Sequence, residues 1–178
     1  MPIADKYRPQ FTYEDYCRWE GRWELIEGML YAMSPAPAPR HQIVNGNLQS
    51  IFTNSLRQYC NKCRAYIPID WKISEDTVVQ PNMLIACKDI DKQYLDFTPV
   101  LTLEILSPST AFKDRHEKFE LYEQQGVPYY VIVDPKSKKI EIYELKVGTY
   151  YLMATDPLMI EFTFDGCKAP VDFTDTWL

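Results

Sequence analysis

A chain of 178 residues with 46% hydrophobic residues is long enough to bury one sizeable core, so a single domain is the expectation. The formal charge of -6 argues against a protein that holds nucleic acid through bulk electrostatics, because such binders are basic overall or carry a dense basic stripe. Thirteen prolines and six glycines are scattered rather than clustered, which excludes a long flexible linker or low-complexity tract.

The first residues, Met1 to Tyr16, hold neither a signal-peptide pattern nor an apolar run long enough to cross a bilayer, and the reading is a soluble, cytoplasmic protein without membrane contact. Five cysteines, an odd number at low density, fit reduced thiols. Cys60-Asn61-Lys62-Cys63 lacks a second Cys-x-x-Cys or a His pair at ligand spacing, and chance spacing near a helix end explains it better than zinc.

In chain order, Thr12-Tyr13-Glu14-Asp15 resembles a capping box and predicts a short helix ending near Gly21. Trp23 to Glu27 and Met29 to Met33 read as two strands joined at Gly28. Ser34 to Pro39 alternates proline with small residues and forms a stiff connector. Ile43, Val44, Leu48, Ile51, Phe52, Leu56 and Tyr59 then recur at three- and four-residue spacing, which predicts an amphipathic helix.

Tyr66 to Ile73, Val78 to Cys87, Val100 to Leu106 and Tyr129 to Val133 read as strands. Between the last two, Asp114 to Gln125 reads as a helix stopped by Gly126-Val127-Pro128. A strand, a helix and a strand in that order predict a parallel crossover. Lys138 to Leu145 and Gly148 to Ala154 predict an antiparallel hairpin, and the class is α/β with a mixed sheet. An aromatic-rich chain with such a hairpin also suits a symmetric homodimer.

Polar residues that break the apolar pattern mark the candidate site. Glu104 lies in the middle of Val100 to Leu106, where a carboxylate loses solvation worth several kcal/mol unless a cation or donors compensate. Alternation puts Thr102, Glu104 and Leu106 on one face; an edge strand on which Glu104 meets water is the competing expectation. Asp114, Lys118 and Tyr122 line one stripe of the following helix, with Arg115 beside them. That stripe reads either as a solvated ion-paired face or as the source of a cation, Lys118, for Glu104. Pro81-Asn82 opens a strand on which Asn82 can lie beside Glu104. Oxygen ligands plus a lysine suit Mg²⁺ or Mn²⁺ and an anionic substrate.

Trp23 to Gly28, Met33 to Pro35, His41, Gln80 to Ile85, Leu103 to Thr110, Asp114 to Tyr122 and Gly126 to Pro135 together resemble the Uma-two family of restriction-endonuclease-like proteins, in the PD-(D/E)XK nuclease superfamily. The resemblance spans about Thr12 to Tyr150. It implies a restriction-endonuclease-like fold, a central mixed β-sheet flanked by helices, and a metal-dependent endonuclease site that hydrolyses DNA. Glu104 matches the metal-binding acid of the E-x-K strand. Leu106 stands at the lysine position of that motif, and Lys118 from the following helix fits the lysine's role. Glu24 or Glu27 matches an accessory acid from the first part of the chain. Asn82 stands where an aspartate is expected; it keeps a carbonyl ligand for the metal but removes a full charge. Either Glu24 or Glu27 restores that charge, or the chain is an inactive binding protein for nucleic acid or a protein partner. A third reading makes Glu104 and Lys118 a buried ion pair that only specifies the fold. Arg40, His41, Lys113, Arg115 and Lys118 form a candidate phosphate-binding patch, with Tyr122 on the same stripe; His41 alone reads equally as a polar end to the connector.

Overall fold

The computed structural model describes residues 10–33 and 37–178. The expected connector Ser34 to Pro39 lies in part outside them. Among the described residues the centre is a six-stranded mixed sheet. Its strands are β3 (Arg64–Tyr66), β6 (Met83–Ala86), β7 (Leu101–Ile105), β8 (Tyr129–Asp134), β9 (Lys139–Lys146) and β10 (Thr149–Thr155). In space the order is β10-β9-β8-β7-β6-β3. β7 and β8 run parallel, with Glu104 opposite Ile132, and the other neighbours are antiparallel. The expected crossover therefore forms, and β7 is an interior strand rather than an edge.

A four-stranded sheet of order β2-β1-β5-β4 packs beside it, made of β1 (Trp23–Ile26), β2 (Met29–Ala32), β4 (Trp71–Ser74) and β5 (Thr77–Val79). β1 and β2 turn through Glu27 and Gly28, both at positive φ, 50° and 74°, which is the geometry of a tight hairpin. The turn leaves Glu27 exposed, while Glu24 on the strand is fully buried.

α2 (Pro39–Tyr59) covers one face of the central sheet. Val44, Leu48, Phe52 and Leu56 pack there with Leu103, Ile105, Val131 and Ile142, as the three- and four-residue spacing demands. Ile43 and Tyr59, from the same predicted stripe, stay about half exposed. The opposite face meets Tyr122, Val127, Trp71 and Val79. Glu104 belongs to this second face.

Several expectations need correction. α1 (Tyr13–Tyr16) has the Thr12 to Asp15 capping box but stops well before Gly21. Val78 to Cys87 is two strands rather than one, because Pro81 has no N–H to donate and the chain passes there from β5 in one sheet to β6 in the other. Tyr66 to Ile73 is divided in the same way between β3 and β4. The helix read from Asp114 to Gln125 is α3 (Ala111–Arg115) and α4 (Glu117–Gln124), broken at His116 with φ -125 and ψ -74. The hairpin of β11 (Met159–Phe164) and β12 (Cys167–Asp172) was not anticipated; it buries Phe162, Phe164, Ala169 and Val171 beneath α2.

The cysteines also differ from the reduced-thiol expectation. Cys60 bonds Cys167 and Cys63 bonds Cys87, leaving Cys17 free. Cys60 caps α2 and Cys63 follows it across a turn, so the Cys-x-x-Cys spacing lets this corner reach two different partners, the β11–β12 hairpin and the end of β6. Among the described residues no helix is long and apolar enough to cross a membrane.

Candidate nuclease site

The site lies where the two sheets diverge after β5. Glu24 comes from β1, Asn82 from the Pro81 step into β6, Glu104 from β7, Asp114 from α3 and Lys118 from α4. Register explains the pairing of the middle two: Met83 lies opposite Leu103 and Leu84 opposite Thr102, so Asn82 comes beside Glu104.

Lys118 is the hub. Its Nζ lies 2.7 Å from Glu24 Oε1, 2.9 Å from Glu104 Oε1 and 3.6 Å from Asp114 Oδ1, and these four residues are all at most 2% exposed. Glu104 Oε1 also accepts a hydrogen bond from the Tyr122 hydroxyl at 2.8 Å, and its Oε2 faces the Asn82 N–H at 3.4 Å. Glu24 accepts from the Gln80 N–H at 2.9 Å and from Lys113. Three acids face two lysines, so one carboxylate is left without a full countercharge.

The titration of the cluster follows from that imbalance. Burial pushes Glu104 up to about 7, helped by Asp114 and Glu24 and opposed by Lys118. Burial likewise raises Asp114. Glu24 is also penalised by burial, yet Lys118 and Lys113 outweigh that penalty and hold its carboxyl below its ordinary value. Burial disfavours the Lys118 ammonium, but Glu104, Glu24 and Asp114 overcome it and keep the amine charged.

These groups open on a cleft of about 810 Å³. Arg22, Arg40, His41, Lys113 and Lys136 line its rim and walls. Arg40 donates to Trp177 O at 3.1 Å, and His41 Nε2 lies 3.1 Å from Ile105 O. Burial lowers the His41 pKa, opposed by the Ile105 carbonyl and by Asp114, which favour the protonated ring.

Three of the anticipated site residues lie elsewhere. Glu27 sits on the exposed hairpin turn, so of the two candidate acids it is Glu24 that reaches the cluster. Arg115 turns away from the cleft to pair with Glu141 at 2.5 Å. Tyr122 is fully buried behind Glu104 and supports that carboxylate instead of facing a substrate. Arg22, Gln80 and Lys136 line the cleft without having been singled out for it. Asp114, anticipated as an ion-pair partner of Lys118 on a solvated face and as the start of the matched Asp114 to Tyr122 segment, is buried, and among the described residues its Oδ1 has no hydrogen-bond donor.

A hard divalent cation fits this donor chemistry. The carboxylates of Glu24 and Glu104 converge on one positive charge, the Lys118 ammonium; the Asn82 backbone N–H faces Glu104 Oε2, and the Asn82 amide oxygen accepts the Ile105 N–H. Among the described residues no group of three or more acidic, histidine or cysteine side chains is arranged to hold a metal ion, and the three carboxylates that converge here do so on the Lys118 ammonium. Mg²⁺ does not require such a group, since it commonly uses one or two carboxylates and completes its shell with water and substrate phosphate.

Residues 12–171 match the Uma2 family, described as "Putative restriction endonuclease". The chain belongs to the Uma2 family. Among curated proteins, an uncharacterized protein of Synechocystis sp. (strain ATCC 27184 / PCC 6803 / Kazusa) is 29% identical over 143 residues, 76% of this chain and 74% of that protein. Among solved structures, a protein from Anabaena variabilis ATCC 29413, described as a putative nuclease belonging to DUF820, superposes with a TM-score of 0.68. That match covers 85% of this chain and 88% of the other at 16% identity, and so speaks to the fold. The restriction-endonuclease-like architecture expected for Uma2 is therefore present: a mixed sheet with helices on it.

Proposed function

We propose that the cleft is a metal-assisted endonuclease site acting on DNA phosphodiester bonds. The observation that carries the reading is Lys118, a fully buried ammonium held between Glu24 and Glu104 on the floor of a cleft with a basic rim. Glu24, Glu104 and the Asn82 carbonyl are the groups that would hold Mg²⁺ or Mn²⁺. When bound, such an ion supplies Lewis-acid stabilisation of the phosphate and a more acidic water.

The protein's own groups do the rest. Lys118 stays protonated and cannot swing away, so its charge is preorganised for the negative charge that develops on a phosphate. Tyr122 and Lys118 fix the Glu104 carboxylate from behind. Arg22, Arg40, Lys113 and Lys136, which line the cleft, would contact flanking phosphates and give a chain of net charge -6 a local set of cations.

A second reading has its own support. Asn82 Oδ1 already accepts the Ile105 N–H at 2.8 Å, so the amide serves as a backbone clamp in place of an anionic ligand. On that reading the cleft binds nucleic acid without cleaving it. Wild type, Asn82→Asp and Glu104→Ala are incubated with single-stranded, duplex and supercoiled DNA in Mg²⁺ or Mn²⁺. Cleavage by wild type that is lost in Glu104→Ala supports the endonuclease. Cleavage by Asn82→Asp alone supports the binding protein. If no variant cleaves DNA or binds metal by calorimetry, the nuclease reading is wrong.

A further inference from the structure

Gln80 is the wall between the cleft and a second cavity of about 680 Å³. Its N–H donates to Glu24 Oε1 at 2.9 Å and its Oε1 accepts from Arg22 at 3.1 Å, which ties it to the cleft. Its Nε2 points the other way, donating to Asp70 Oδ1 at 2.5 Å and lying 3.3 Å from the Tyr16 hydroxyl. One side chain thus spans both cavities.

The second cavity is aromatic. Tyr13, Tyr16, Trp19, Trp23 and Tyr94 line it, and each residue is only partly buried. Their orientations are held. Tyr13 stacks on Tyr16 with centroids 6.1 Å apart, Tyr94 meets Tyr13 edge-on at 5.5 Å, and Trp19 leans on Trp23 at 6.1 Å. The Trp23 indole donates to Glu20 O at 2.7 Å, and the Tyr16 hydroxyl lies 3.1 Å from Asp70 Oδ1. Lys72 lies over the Tyr13 ring at 4.2 Å and Lys92 near Tyr94 at 5.5 Å, each paired with an acid, Glu75 and Asp96, so the pocket's attraction for a ligand is aromatic rather than cationic.

We propose that this pocket receives an unpaired nucleobase of the strand whose phosphate lies in the cleft, which makes the preferred ligand single-stranded DNA or a duplex with unpaired nucleotides. The inference rests on the nucleic-acid reading of the cleft and names its substrate class. The chemistry is stacking: every base presents a π face, and aromatic side chains capture it without regard to sequence. A fixed carboxylate and amide, Asp70 and Gln80, supply polar contacts at the edge of the base. Stacking also answers the charge problem, since a chain of net charge -6 gains little from nonspecific phosphate attraction. A base that enters such a pocket has left its own stack, which costs least where it is already unpaired.

The test uses the full chain with EDTA present, so that cleavage plays no part. Tryptophan fluorescence is followed during titration with a short oligothymidylate and with an abasic oligomer of the same length and charge. The oligothymidylate should quench the signal and bind roughly five-fold or more tightly than the abasic oligomer. Trp19→Ala and Tyr94→Ala, confirmed as folded by circular dichroism, should each reduce that difference while leaving abasic binding unchanged. Equal affinity for the two oligomers in wild type, or tighter binding of perfect duplex, overturns the base pocket and leaves the cleft reading intact. Binding of no oligomer overturns both.

Discussion

Three buried carboxylates share the Lys118 ammonium, and removing it leaves them to repel one another in a low-dielectric setting. Lys118→Met should therefore lower stability by about 3–5 kcal/mol in chemical denaturation, the range for stripping one partner from a buried ion pair. Glu104 predicts a pH effect of definite sign. Its folded pKa, about 7, lies above the ordinary carboxylate value, so the folded state binds more protons than the unfolded state between roughly pH 4.5 and 7. Its contribution to stability falls as pH rises through that window. Glu104→Gln has no such titration, and the wild type minus Glu104→Gln difference in unfolding free energy should decline from pH 4.5 to 7 and then level off. A flat difference would mean that the carboxylate is ionised throughout. Glu104 and Asn82 stood out in the sequence because each is polar inside an apolar run, a signal that needs no tertiary information. Gln80, Arg22 and the burial of Asp114 carried no such local signal. Their positions follow from the passage of the chain between two sheets at Pro81, which alternation within one strand does not encode.

At the scale of elements, the periodic signals identified what forms and missed where it divides. The spacing of Val44, Leu48, Phe52 and Leu56 is enough to define α2, because a helix of 21 residues repeats its apolar stripe several times. Short strands give no such redundancy, and Val78 to Cys87 reads as one apolar segment although its halves pair with different sheets. The β11–β12 hairpin did carry a two-residue signal, with Phe162 and Phe164 inward and Glu161 and Thr163 outward, but lay beyond the motifs that drew notice. The stop of α4 was legible in Gly126-Val127-Pro128. The Gly126 N–H donates to Glu123 O and the Val127 N–H to Tyr122 O, both at 3.0 Å, around a glycine at φ 74°. A Cβ at that glycine meets nothing within 4 Å, so Gly126→Ala isolates the backbone term. Thermal or chemical denaturation should show a loss of about 1–2 kcal/mol, the cost of placing an L-residue in left-handed conformation. A neutral result would show that α4 is held by Tyr122 and Lys118 rather than by its cap.

Across the whole molecule, the two disulfides join parts far apart in sequence. Cys60–Cys167 closes 107 residues and ties the end of α2 to the late hairpin; Cys63–Cys87 closes 24 and ties the same turn to β6. β6 carries Asn82 just before its other end, so the covalent network and the cleft share a strand. Loop-closure entropy assigns each bond roughly 3–5 kcal/mol, more for the longer loop. Protein unfolded without reductant should present one reactive thiol, Cys17, and five after reduction. Reduction should lower the denaturation midpoint, and Cys167→Ser should lower it more than Cys87→Ser because the larger loop is released. Both bonds lie at the sheet end opposite Asn82. If the cleft binds DNA as proposed, that binding under folding conditions should survive reduction, while resistance to denaturant does not. Five reactive thiols before reduction would instead mean that the four buried and half-buried sulfurs meet as packed thiols, and the covalent contribution to stability would vanish with them.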